Sequence, residues 1–360
     1  MERHMRQRIQ SAGGWLPFDE FMAIALYAPN LGYYSNSQQK FGLDARDGSD
    51  FVTAPEMSPL FARCLARQVS QALQATGTDE VIEFGAGSGA LALDLLEALD
   101  DLGTPCKRYS IVELSGSLRA RQQERLKPYA DRLKWLSGLP DRLTGVLIGN
   151  EVLDAMPVKL LHFDGREWFE RGVVLGRDGE GFQWHDRHTT LRPPFDHGQW
   201  VAGTVTEIHP QARDWVRTVG ERLQRGSIFL IDYGFGDSEY YLPQRIGGTL
   251  MCHHRHRSDD HPLQQLGQKD ITSHVNFTAI ALAGQDAGLE VLGYTSQGRF
   301  LLNCGLAGDL ARASLPMRTM AQRLVNEHEM GELFKVIGFA PSSQVFDAIG
   351  FREGDRSHRL

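Results

Sequence analysis

Apolar residues recur at helical spacing in the first part of the chain. Phe18, Phe21, Met22 and Ala25 fall on one face of a segment that Pro29 ends. Leu60, Phe61, Cys64, Leu65, Val69 and Leu73 form the apolar stripe of a second predicted helix, with Ser58 as its N-cap and Pro59 at its first position. The stretch between them, Leu31 to Ser58, is too polar and too punctuated to be one regular element. From about residue 80 the pattern changes. Short apolar runs (VIEF, YSIVE, LKWL, TGVLIGN) alternate with amphipathic ones (LALDLLEAL, SLRARQQERL). That alternation predicts right-handed crossovers and a mostly parallel sheet.

Residues 159–200 interrupt the rhythm with alternating aromatic runs around two Asp-Gly pairs, Asp164-Gly165 and Asp178-Gly179. These predict a β-hairpin or meander. The α/β pattern resumes with a helix over ARDWVRTVGERL and a strand at SIFLIDYG. A polar, His- and Arg-rich stretch, 249–276, reads as a loop, and FTAIALAGQDAG, LEVLGYT and FKVIGFA follow as helix, strand and final strand.

Composition narrows the function classes. Thirty-eight Lys and Arg against 45 Asp and Glu give a net charge of −7, which argues against a general phosphate-backbone binder. No apolar run approaches the roughly 18 residues of a membrane span, so no membrane insertion is expected. The four cysteines (Cys64, Cys106, Cys252, Cys304) include no Cys-x-x-Cys pair, which disfavours zinc and disulfide frameworks. The basic start, MERHMRQRIQ, lacks the apolar core of a secretory signal. Together these features lead to the expectation of a cytoplasmic protein.

Candidate chemistry concentrates at Val81-Ile82-Glu83-Phe84-Gly85-Ala86-Gly87-Ser88-Gly89-Ala90. Glycines at alternate positions between a strand and a helix let the backbone approach a nucleotide-like ligand. Read as Gly85-x-Gly87-x-x-Ala90, the loop fits a dinucleotide such as NAD. Read as Glu83-x-Gly85-x-Gly87-x-Gly89, it matches the first motif of S-adenosyl-L-methionine (SAM) methyltransferases. Glu83 favours SAM, because a pyrophosphate would be repelled by a carboxylate there while an amine would be attracted. Glu113, ending the next strand, is an acid for ribose hydroxyls in either case. The loop by itself leaves SAM and NAD both open.

Beyond the loop, the ordered blocks SDFVTAPEMSPLF, VIEFGAGSGALALDLL, YSIVELSGSLRARQ, GNEVLDAMPV, FLIDYG, GGTLMCHHRHR and DITSHVNFTAI resemble the MidA family over nearly the whole chain. That resemblance implies an α/β fold of the class I SAM-dependent methyltransferase type: a Rossmann-like, mostly parallel seven-stranded sheet with one antiparallel strand. It implies a division into an N-terminal helical cap and cofactor-covering segment, 1–76, and a methyltransferase domain, 77–360. The domain would carry a β-rich insertion at about 159–205 and a substrate-side loop at about 236–276. The cofactor implied is S-adenosyl-L-methionine. The reaction implied is methyl transfer to a protein side chain, arginine in this family, and a respiratory complex I subunit is the partner by family analogy. A homodimer is left open. The competing readings are an NAD-dependent oxidoreductase and a non-catalytic assembly factor with the same fold.

For the cofactor, the resemblance points to Thr53, Pro55, Glu56, Glu83, Gly85, Gly87, Gly89, Glu113, Leu114, Ser137, Gly138, Leu139, Asn150 and Glu151. An arginine acceptor is cationic at almost any pH, so carboxylates must grip and orient it. Asn150-Glu151-x-x-Asp154 follows the fourth strand, and a helical turn there would put Glu151 and Asp154 on one side. Asp232 at the end of FLID and His274 complete the catalytic candidates. Each has a plainer alternative: Asp154 as a turn cap, Glu56 as an acid at a helix start, Asp232 as turn chemistry, His274 as a structural histidine. The run Cys252-His253-His254-Arg255-His256-Arg257 has no metal-ligand spacing, and no metal is expected.

Overall fold

The computed structural model describes residues 1–36, 53–104, 106–177 and 180–360. Its central sheet contains β1 (Glu80–Phe84), β2 (Arg108–Val112), β3 (Leu133–Leu136), β4 (Leu143–Asn150), β5 (Leu223–Phe235), β6 (Leu289–Ser296) and β7 (Phe334–Pro341). They lie in the order β6-β7-β5-β4-β1-β2-β3. β3, β2, β1, β4 and β5 run parallel, and β7 is antiparallel to both β5 and β6. A two-residue strand, Val275–Asn276, adds to the far end of β5. The class I arrangement expected from the sequence is therefore present.

Helices cover both faces, which is why β1 and β4 are near-continuous apolar runs. On one face the helices Pro59–Thr76 and Ala90–Asp101 bury Phe61, Leu65, Val69, Leu95 and Leu99 against Val81, Ile111 and Val146. On the other, Pro210–Arg222 and Phe277–Asp286 bury Val216, Val219, Phe277 and Ile280 against Leu147, Ile228 and Phe339. Ser58 caps Pro59–Thr76 by accepting from the Leu60 amide, and Gly77 ends it in the left-handed conformation. Chain order reverses between β1 and β4, so a crevice opens at the carboxyl ends of those strands.

A third core joins distant segments. Met5, Ile9, Phe18, Phe21 and Met22 pack with Val158, Leu160 and Val173, and with Cys252 and Ile271. The strands Lys159–Phe163, Trp168–Leu175, Phe182–His188 and Val205–Ile208 form a five-stranded antiparallel sheet with Leu16–Pro17. The N-terminal 36 residues thus sit on this insertion, whereas Pro59–Thr76 belongs to the central core. Asp164 forms the expected turn, its carboxylate accepting from the Arg166 and Glu167 amides at 2.7 and 2.9 Å. The other Asp-Gly pair, Asp178-Gly179, lies outside the described residues, as does the stretch 37–52.

Two local expectations need correction. The stretch 249–276, read as a loop, contains four short strands: Met251–His254, Arg257–Asp259 and Asp270–Thr272, which form a small sheet, and Val275–Asn276. Arg255 and His256 make its two-residue turn at φ +48° and +57°, a conformation ordinarily signalled by Asn or Gly. No helical turn begins at Glu151 either. Its φ is +53°, its amide donates to the Ile231 carbonyl at 2.9 Å, and irregular turns follow. Among the described residues no helix is long and apolar enough to cross a membrane.

Candidate active site

A cavity of about 860 Å³ opens at the crevice above β1 and β4. Gly85, Gly87 and Gly89 all have positive φ (+63°, +52° and +84°), which any other residue would adopt only under strain. Gly85 and Gly87 line the cavity together with Ala86 and Ser88. Gly89 lies behind them, where an added Cβ would meet Leu126 and Gln122 at 3.5–3.6 Å.

Two buried acids flank this loop. Glu83 accepts from the Tyr109 hydroxyl at 2.7 Å. Burial pushes its carboxyl up to about 7, against the opposing effect of that hydrogen bond, and the charge of Glu113 adds to the rise. Glu113 accepts from the Ser115 amide at 2.7 Å and from Gln122 Nε2 at 2.9 Å. Gln122 also donates to the Gly87 carbonyl at 3.0 Å and accepts from Trp135 Nε1 at 3.1 Å, tying the glycine loop to the acid that ends β2. Glu56 reaches over from the short helix Ala54–Met57 to accept from the Ser88 hydroxyl, and Arg125 pairs with it at 3.3 Å.

Thr53, Pro55, Glu56, Glu83, Glu113, Leu114, Asn150 and Glu151 all line the cavity. Ser137, Gly138 and Leu139 do not. Leu139 is half-buried against the core on that face, and its carbonyl accepts from Arg222 at 2.9 Å.

Past the glycine loop the same cavity continues between three segments: residues 150–157 after β4, the strand Asp270–Thr272, and the N-terminal tyrosines Tyr27 and Tyr34. Asn150 Nδ2 donates to Glu151 Oε1 at 3.0 Å. Burial, and next the charge of Asp154, push the Glu151 carboxyl up to about 8, partly offset by that bond and one from the Ala54 amide. Burial also raises Asp154, which accepts from the Tyr233 hydroxyl at 2.7 Å. Tyr34 donates to both oxygens of Asp270, at 3.0 and 2.9 Å. His274 lines the cavity stacked on Phe235, and burial, with the Arg245 charge, holds it down at about 4, so its ring is neutral.

Asp232 is buried beside these acids but does not line the cavity. It accepts from the Leu153 and Asp154 amides at 2.9 and 3.2 Å and so anchors the irregular turn that carries Glu151 and Asp154. This anchoring brings the two acids into one cavity without a helix. Tyr27, Tyr34 and Tyr233 line the site and were not singled out from the sequence. Tyr34 falls in the polar stretch that begins at Leu31 and Tyr27 near the end of the first predicted helix, and neither carries a local signal.

Asn150 Oδ1, Asp154 Oδ1, Thr272 Oγ1 and His274 Nδ1 are buried without a hydrogen-bond partner among the described residues, and all four belong to cavity-lining residues. Such atoms are costly unless a ligand or water satisfies them. Acids and bare glycines fit a ligand bearing an amine, ribose hydroxyls and positive charge, as SAM does. No group of three His, Cys, Asp or Glu side chains among the described residues has the geometry to hold a metal.

Comparison with known proteins agrees with this fit. Residues 64–295 match the family described as S-adenosyl-L-methionine-dependent methyltransferases. The chain is 51% identical to a crystallised protein from Burkholderia thailandensis bound to S-adenosyl-homocysteine, with a TM-score of 0.95, covering 99% of this chain and 96% of that one. It is 26% identical to the protein arginine methyltransferase NDUFAF7 homolog, mitochondrial, of Caenorhabditis elegans, over 91% of this chain and 83% of the relative. Against the human protein arginine methyltransferase NDUFAF7, mitochondrial, identity is 24%, over 96% and 84%.

These names overturn the expectation of a cytoplasmic protein, since both curated relatives are named as mitochondrial. The NAD reading of the glycine loop gives way as well: the cofactor is SAM. This chain is an enzyme of the MidA family of SAM-dependent methyltransferases.

Proposed function

We propose that the enzyme methylates an arginine side chain of a protein client, with a respiratory complex I subunit as the client the family resemblance suggests. The observation that carries this reading is the acceptor half of the cavity. Glu151, Asp154 and Asp270 face a space continuous with the glycine loop, tyrosines wall it, and no Lys or Arg among the described residues lines it. Such a space favours a cation with a flat face. The names of the two NDUFAF7 relatives support the same acceptor.

The cofactor, when bound, supplies a methyl carbon on a sulfonium. Glu83 and Glu113 are placed to hold its amine and ribose. Glu151 and Asp154 would grip the guanidinium and turn one nitrogen toward that carbon, so alignment is the larger part of the catalysis. As the new N–CH3 bond forms and the C–S bond breaks, its electron pair stays on sulfur and the nitrogen loses a proton. Burial keeps Glu151 protonated up to about pH 8 in the empty site; the charge of a bound guanidinium would favour its carboxylate form, which is then suited to take that proton. Asp232 holds the turn in place, and neutral His274 lines the same space.

The test is to incubate the purified protein with methyl-labelled SAM and an extract of cells lacking it, then hydrolyse the protein fraction. Label in methylarginine is expected. Label confined to another residue would refute the arginine reading. No transfer, with SAM bound, would favour the assembly-factor alternative.

A further inference from the structure

Asp270 lies in the strand Asp270–Thr272, in register with His253, and is only 2% exposed. It comes from a different part of the chain than Glu151 and Asp154 yet borders the same cavity. Its carboxylate is fixed by a residue from a third segment, since both oxygens accept from the Tyr34 hydroxyl. Tyr34 stacks on Tyr27, with ring centres 5.6 Å apart and planes 17° from parallel. The Tyr27 hydroxyl donates to the Ala155 carbonyl at 2.8 Å, beside Asp154. The N-terminal segment therefore links the two acidic walls.

Three carboxylates around one cavity repel one another, and burial strengthens the repulsion. Glu151 is held up in part by the charge of Asp270 as well as that of Asp154. The sulfonium accounts for one positive charge on the cofactor side. A cation brought by the acceptor would offset that repulsion and favour the ionised acids.

We propose that Asp270, oriented by Tyr34, is an acceptor-binding residue. Its carboxylate takes part of the cationic head of the acceptor side chain, with the Tyr27–Tyr34 pair as a flat wall, so that residues 18–34 complete the acceptor subsite. This inference rests on the acceptor reading above and adds the selection: a planar cation is taken, and a neutral group of the same shape is not.

The probes are ethylguanidinium and ethylurea, which share a planar outline and differ in charge. Each is titrated by calorimetry into the full-length protein saturated with S-adenosyl-homocysteine. Wild type is expected to prefer ethylguanidinium. Asp270→Asn should weaken ethylguanidinium about tenfold while leaving ethylurea and S-adenosyl-homocysteine within about twofold. Asp270→Glu should recover part of the loss, and Tyr34→Phe should lose about threefold.

If Asp270→Asn binds ethylguanidinium as wild type does, the proposal is overturned and the acceptor reading survives. Equal loss of both probes would also overturn it, because that pattern belongs to a damaged fold. If wild type itself shows no preference for the cation, the acceptor reading falls with it.

Discussion

Glu151→Gln should make the empty protein more stable at alkaline pH while abolishing transfer. Burial lifts the Glu151 carboxyl from the usual 4.5 to about 8, so the folded state holds a proton that the unfolded chain gives up. The stabilisation from that proton is fully present below pH 4.5 and is lost as pH rises through about 8. Each pH unit of that interval corresponds to ~1.4 kcal/mol, giving an upper bound of roughly 5 kcal/mol for burying the charged form. The side chain is only partly buried and faces a cavity open to solvent, so about 2 kcal/mol is a realistic penalty. Glutamine keeps the shape and carries no charge.

Urea unfolding of wild type and Glu151→Gln, both free of cofactor, should give nearly equal midpoints at pH 4, below the ordinary carboxyl value. At pH 8.5 the variant should be more stable by about 2 kcal/mol. A variant that is less stable at pH 8.5, or a difference that ignores pH, would refute the reasoning.

Other consequences follow from neighbouring groups. Tyr109→Phe removes the hydrogen bond that opposes the rise of Glu83, so at pH 7 less of the carboxylate is ionised to meet an amine. SAM affinity by calorimetry should fall about three- to tenfold at pH 7 and recover toward wild type at pH 9. Gln122→Ala strips a partner from Glu113, Trp135 and the Gly87 carbonyl, and should cost about 1–3 kcal/mol in urea unfolding with weaker SAM binding. Asp232→Ala leaves the Leu153 and Asp154 amides without their acceptor, so methyl transfer should fall more than tenfold while S-adenosyl-homocysteine affinity stays within about twofold. Equal loss of both would show that the 151–157 turn also shapes the cofactor half.

The glycine-loop half of the cavity was largely legible in the sequence, because one contiguous stretch carries it; Ser137, Gly138 and Leu139, expected there, do not line it. A strand of apolar residues, alternating glycines and an amphipathic helix occupy consecutive positions, and Glu113 ends the next strand. Ser58-Pro59 announced its helix for the same local reason. The other half was legible only where the resemblance reached, at Glu151 and Asp154. Tyr27 and Tyr34 arrive there because residues 1–36 pack on an insertion more than a hundred residues away in sequence, and no local periodicity records that contact. The turn at Arg255-His256 was missed because neither residue type ordinarily takes positive φ. Glu151 was misassigned to a helical turn because Asp232, distant in sequence, supplies the acceptor that holds the chain in another shape.

The central claim is that Glu151 and Asp154, past the glycine loop, direct a methyl group onto arginine. Mass spectrometry of whole proteomes from cells with the protein, cells without it, and cells carrying Glu151→Gln tests this most directly. The account predicts an arginine that loses its methyl groups when the protein is absent and does not regain them with Glu151→Gln. Restoration by that variant, or loss of methyl groups only from other residue types, would contradict it.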